Sequence, residues 1–260
     1  MRLPLLALIG VAVVLQTGCV TGRRTLSLPI STQESHATTK GSVYIATVTD
    51  NRHFENKPSD PSVPSIDGDV TKLSVRAKDR MIGRQRNTFG KAMGDIGLAE
   101  NDSVTKRARL LVGEGLRRKG YEVTDDPKAP TTVGVSIDEF WAWGTPGFWA
   151  LTFEAKLQCT ISVTNAAGAQ TAIVRGHGIN HGQVAKDVNW QEAYDPAFED
   201  FMTNLGAQWD SLYARTVSSP SSAKIDGDLY EQLNKLDALR KSGVLTEQEF
   251  DSQKRKLLSQ

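Results

Sequence analysis

Three groups of side chains in this sequence of 260 residues bear on chemistry: one cysteine, two histidines, and a set of cations close to an aromatic stretch. Cys19 closes an uncharged run from Leu3 to Gly18 that begins just after Arg2. A thiol directly behind a small residue at the end of such a run can be diacylated, and after cleavage before it becomes the new amino terminus. His177 and His181 stand four positions apart. In an extended strand that spacing separates their side chains by roughly 13 Å, too far to share one ion. No cysteine or carboxylate cluster nearby strengthens a metal reading, so neither a metal nor a cofactor is expected. A nucleophile elbow, a metalloprotease histidine pair and a phosphate loop are also missing from the sequence, and no catalytic residue is assigned.

The cations lie between Thr71 and Gly94: Lys72, Arg76, Lys78, Arg80, Arg84, Arg86 and Lys91, set against the acid Asp79. Such clustering suits an anionic ligand at a phosphate-bearing surface, or else a solvated loop balanced by acids elsewhere. The aromatic stretch holds Phe140, Trp141, Trp143, Phe148 and Trp149 around a turn. Of these, Trp141, Trp143, Phe148 and Trp149 are the candidate apolar contacts, with burial in a core as the plainer alternative.

Composition limits the function classes. Lysine and arginine total 31 against 30 acids, a formal charge of +1, which argues against a general nucleic-acid binder. Cys159 is the second of 2 cysteines, so with Cys19 acylated no intrachain disulfide forms. Its place in an alternating apolar pattern marks it as a small buried hydrophobe.

The elements that must position these groups follow from texture. Residues 1–18 read as a lipoprotein signal peptide, too short and wrongly flanked for a stable span. Residues 19–40 are polar and read as a flexible tether. A domain over 41–215 opens with a strand at 42–49, followed by a long irregular stretch, 51–100, punctuated by Pro58, Pro61, Pro64 and Gly68. Asp102 or Ser103 caps a helix whose apolar positions are Val104, Ala108, Leu111 and Leu116, and Gly120 stops it. Odd positions from Trp149 to Val163 are apolar and even ones from Thr152 to Ser162 polar, a strand with one dry face; Val133, Val135, Ile137, Trp141 and Trp143 continue the odd pattern upstream. The stretch Gly144-Thr145-Pro146-Gly147 joins the two as a hairpin, and a third strand, bulged or at an edge, carries Gly176, Gly178 and Gly182. Asp195-Pro196 opens a last helix with Phe198, Phe201, Met202, Leu205, Trp209 and Leu212 on its apolar face. The expected class is α+β: an antiparallel-rich sheet of about four strands covered on one face by two helices, plus a C-terminal helical hairpin.

After a linker at 216–225, residues 226–260 form that hairpin. Leu229, Leu233, Leu236 and Leu239 line its first helix, Gly243 ends it, and Thr246 with Glu249 makes a capping box before Phe250 and Leu257 of the second. A unit this small buries too little to stand alone and calls for association.

Three resemblances follow from these residues. Leu15-Gln16-Thr17-Gly18-Cys19 resembles a bacterial lipobox, with Gln16 where leucine is usual. That resemblance implies palmitate-type acylation at Cys19, and Val20 in place of aspartate implies the periplasmic face of an outer membrane. Leu116-Arg117-Arg118-Lys119-Gly120-Tyr121-Glu122-Val123 and the later sheet-then-helix order resemble the YajG family of bacterial lipoproteins over roughly 41–215, which implies a fold and a compartment but no catalytic residues. The run from Leu233 to Phe250 resembles the short C-terminal domain called SHOCT, which implies self-association or docking.

The functional expectation is a non-enzymatic, lipid-anchored envelope protein that scaffolds or assists assembly, its hairpin holding a second copy or an envelope partner. A periplasmic lipid- or glycan-binding module, using the basic stretch 71–94 and the aromatic hairpin 140–149, is the alternative. Nucleic acid is not an expected partner.

Overall fold

The computed structural model describes residues 23–32 and 39–215, apart from 88, 90, 148, 167 and 184, together with 250 and 253. In chain order the elements are β1 (Arg24–Leu26), β2 (Ser42–Asp50), a 3-10 turn (Val70–Lys72), α1 (Val75–Lys78), β3 (Met81–Arg86), β4 (Ala92–Leu98) and α2 (Val104–Arg118). They continue with β5 (Glu122–Thr124), β6 (Thr131–Pro146), β7 (Leu151–Asn165), β8 (Gly168–Gly182) and α3 (Asp187–Arg215).

The expectation of about four strands in an antiparallel-rich sheet is overturned. All 8 strands join one mixed sheet. The pairs β1–β4, β2–β5, β2–β6 and β3–β6 are parallel, while β3–β4, β6–β7 and β7–β8 are antiparallel. Strand β7 pairs with β6 from Thr132 to Pro146, so β2 and β3 share the opposite edge of β6. Strand β2 takes its first half and β3 takes Ala142 and Trp143.

The stretch 51–100 is therefore no long loop, because it contributes a turn, a helix and two strands. Met81 to Arg84 and Asp95 to Leu98 are buried without a break, and strands covered on both faces carry no period-two signal. Residues 24–31, within the expected tether, are held to the sheet. Strand β1 pairs with β4, Leu26 and Leu28 are buried, and Arg107 and Arg118 donate to the carbonyls of Leu28 and Ser31 at 2.9 Å.

A register shift between Ile137 and Glu139 changes the meaning of β6. One extra residue in a strand turns every later side chain to the other face. Thus Val133, Val135 and Ile137 face the main core with Phe140 and Ala142, whereas Trp141 and Trp143 join Phe54, Ile66 and Met81 in a second cluster. The odd-numbered pattern does not run through the bulge. In β7 it holds, with Phe153, Ala155, Leu157, Cys159, Ile161 and Val163 buried.

The main core lies between the sheet and helices α2 and α3. Ser103 caps α2 by accepting from the Lys106 amide at 3.1 Å, and Gly120, with φ of 88°, ends it in the left-handed region. Helix α3 starts at Asp187, so Pro196 lies inside it and does not open it. Strand β8 is an edge but is not bulged, and its pairing with β7 is continuous. Its glycines serve the helix. A Cβ on Gly176 would sit 2.3 Å from the Ala197 carbonyl oxygen, and one on Gly178 would sit 2.2 Å from that of Ala193. The hairpin between β6 and β7 turns at 147–150, with the Gly147 amide donating to the Ala150 carbonyl at 2.8 Å, three residues later than the composition predicts. Among the described residues no helix is long and apolar enough to cross a membrane.

Candidate functional site

Strands β2 and β3 leave a gap along the edge of β6, and Arg52 fills it. Its Nη1 donates to the carbonyls of Met81 at 2.6 Å and Phe140 at 2.9 Å, and Nη2 donates to that of Lys78 at 2.9 Å. Nε and Nη2 also donate to the two Asp50 carboxylate oxygens, so all five guanidinium hydrogens are used. The side chain stands in for the missing strand ladder. Burial pushes the Asp50 carboxyl up, but the hydrogen bonds and charge of Arg52 outweigh it and hold the group below the usual aspartate range.

The second buried guanidinium is Arg84. It donates to the Ile66 carbonyl and to Asp67 at 3.4 Å, with Asp95 3.6 Å from its Nε. Burial raises the Asp95 carboxyl above the usual range, although the Asp67 amide, Arg84 and Arg23 pull the other way. Arg86 donates to the Pro58 carbonyl at 3.0 Å, and Trp141 donates through Nε1 to that of Pro61 at 3.2 Å. Together these bonds lay residues 52–69 over the face of the sheet that α2 and α3 leave open, covering Trp141 and Trp143.

The seven cations thus have different placements. Arg84 is buried, Arg80 donates twice to the Leu98 carbonyl, Arg86 reaches Pro58, and the Lys78 ammonium lies 5.3 Å from the Phe54 ring. Lys72, Arg76 and Lys91 are exposed. The aromatic group divides as well. Trp141 and Trp143 are buried, Trp149 is 86% exposed, and Phe148 lies outside the described residues. Cys19, Leu229, Leu233, Leu236, Leu239 and Leu257 lie outside them too, while Phe250 is helical and half-buried.

What the fold does bring together is one end of the sheet. Because β3 and β6 run parallel, the turn after β3 and the turn after β6 project from the same end. The first carries Phe89, 93% exposed, beside Lys91, and the second carries Trp149. Strand β8 finishes there, since Gly182 pairs with Leu151, and Lys186 and Val188 follow in the exposed start of α3. Strand β1 runs parallel to β4, so the chain also enters β1 from this end, at Arg23. Arg24 ties that entry to α3 by donating to the Ala185 carbonyl at 2.7 Å and to Asp187 at 3.2 Å. Sequence reasoning missed Phe89, Arg23, Lys186 and Val188. The one local signal was the turn composition Asn87-Thr88-Phe89-Gly90, which marks a hairpin once strands flank it.

His177 and His181 lie on the open sheet face, His181 next to Gly182 at that end and His177 four residues further down β8. His177 Nε2 is 3.3 Å from Glu154, and His181 Nδ1 is 3.2 Å from the Thr152 hydroxyl. Among the described residues no group of three metal-ligating side chains gathers.

Residues 231–258 match the SHOCT family, the short C-terminal domain. This SHOCT segment lies beyond α3, at the far end of the chain from Cys19. No curated protein matches the chain. Among solved structures, protein XCC0632 from Xanthomonas campestris, described with the family model DUF330, is similar over 73% of this chain and 98% of its own, at 11% identity and a TM-score of 0.38. An uncharacterized protein is similar over 76% of this chain and 99% of its own, at 10% identity and a TM-score of 0.29. Likeness at this level leaves function to the residues themselves.

Proposed function

We propose that the protein is a non-enzymatic lipoprotein of the bacterial envelope, anchored by acylated Cys19 to the periplasmic face of an outer membrane, that scaffolds or assists assembly through protein contacts. The SHOCT segment at 231–258 carries this reading. A unit of that size buries too little apolar surface to be stable by itself, so it gains its core from a second copy or a partner. The domain before it supplies the platform. The lipobox-like stretch ending in Cys19 and the YajG-like run Leu116 to Val123 support the compartment.

A crosslinked pull-down of the full chain from its native envelope, compared with a chain ending at Ser222, tests it. A protein complex that the shortened chain loses supports the scaffold reading. Retention of the same protein partners by both chains overturns the role of the hairpin. Lipid or glycan on both, with no protein partner, replaces the scaffold with a binding module.

A further inference from the structure

We propose that the sheet end formed by the β3–β4 turn, the β6–β7 turn and the start of α3 docks on a phospholipid bilayer, with Phe89 and Trp149 entering the headgroup region. Both rings are almost fully exposed, at 93% and 86%, on turns that adjacent parallel strands bring to the same level. A large aromatic ring held out on a tight turn loses apolar burial in water, and the membrane interface is where such a ring finds it without leaving polar neighbours dry. Val188, also exposed, adds an aliphatic group from α3.

The charges around the rings match an anionic surface. Lys91 and Lys186 are exposed there, Arg23 is exposed but lies 3.7 Å from the buried Asp95 carboxylate, and the acid Asp187 lies 3.2 Å from Arg24. Each cation near such a surface contributes on the order of 1 kcal/mol of attraction.

The direction of the chain points to the same partner. Strand β1 is entered from this end, and Cys19 precedes Arg23 by four residues, a reach of at most about 14 Å for an extended chain. With residues 24–31 held against the sheet, an acyl group on Cys19 is tethered within that reach of Arg23. The docking inference draws support from the anchor reading but stands on its own geometry, so the two are tested apart.

The protein contains its own probe. Of the 5 tryptophans, Trp141, Trp143, Trp190 and Trp209 are buried and Trp149 is exposed. The full chain is reconstituted in vesicles of phosphatidylethanolamine and phosphatidylglycerol whose acyl chains carry bromine near the headgroup, and tryptophan quenching is read against unbrominated vesicles. Acylation of Cys19 is followed separately by mass. Docking predicts quenching that disappears in Trp149→Phe and falls at least twofold in Phe89→Ser, with unchanged thermal unfolding in both. No quenching in an acylated chain overturns the docking and leaves the anchor standing. Quenching that survives Trp149→Phe also overturns it, because another tryptophan is then the one meeting lipid. Quenching in a Cys19→Ala chain supports the docking, and it does so even where the native chain proves unacylated.

Discussion

Arg52 grips both carboxylate oxygens of Asp50, two residues before it, at 2.8 Å through Nε and 2.8 Å through Nη2. The pair closes the seam where β6 passes from one parallel neighbour to the next. An ion pair buried with every hydrogen bond made contributes chiefly through what its loss would strand.

Arg52→Met strips the guanidinium from the carbonyls of Lys78, Met81 and Phe140 and leaves the Asp50 carboxylate with the backbone amide of residue 52 but no charged donor. The expected loss is about 3–5 kcal/mol, the range for breaking a buried pair. Chemical denaturation at pH 7 measures it, and a shift below 1 kcal/mol would refute the assigned role.

Acid titration separates two aspartates. Asp50 is held below its ordinary value of 3.8, so the stability it contributes is full above about pH 5 and drains away as pH falls through 3.8 towards the folded value. Asp95 is raised above 3.8, so its contribution has the opposite sign, present at low pH and lost as pH rises through the folded value. Asp50→Asn should therefore flatten the acid limb of the stability curve between pH 5 and 3, and Asp95→Asn should steepen it. Denaturant midpoints across that interval give both slopes.

Gly178→Ala places a methyl carbon 2.2 Å from the Ala193 carbonyl oxygen and 2.6 Å from the Ala197 nitrogen. Neither backbone atom moves without lifting α3 from β8. Overpacking of this kind costs about 1–3 kcal/mol, and more where backbone is the obstacle. A thermal midpoint lowered by several degrees is the expected reading.

Helix α3 also shields the free edge of β8. Asp200 accepts from the His177 amide at 2.9 Å, Asn204 donates to the Arg175 carbonyl at 3.0 Å, and Gln208 donates to that of Ile173 at 3.2 Å. Four helix residues advance about 6.0 Å and two strand residues about 6.6 Å, so one helix ridge keeps step with the strand. Replacing all three with alanine frees those edge groups. Light scattering should then show concentration-dependent association that the unaltered domain lacks.

Cys159 is buried, and burial pushes its thiol far above the usual cysteine range. The thiolate that reacts with maleimides or disulfide reagents is therefore scarce in the folded chain. Labelling at pH 8 should proceed only as fast as the protein unfolds, and rapid labelling of the native state would contradict the placement.

Local order decided how much was legible. The caps of α2 and the alternation of β7 act through neighbours in sequence, and each appears in the structure at its expected place. Trp141 and Trp143 show where that reading ends, because one bulge residue reversed their faces and moved them under the segment 52–69. Nothing local marks such a bulge. Pro196 misled for a similar reason, since a proline suited to a first turn sits ten residues into α3.

The sequence by itself determined the long antiparallel strands, the capped helix, the SHOCT segment and the burial of Cys159, all of which rest on short-range periodicity and composition. Only the tertiary structure decided that β1, β3 and β4 complete the sheet, that Arg52 bridges two of its strands, and that Phe89 and Trp149 share one end. Strands covered on both faces lose their alternation, and a buried arginine has the same letter as a solvated one. Two turns some sixty residues apart become neighbours only when parallel pairing sets their register.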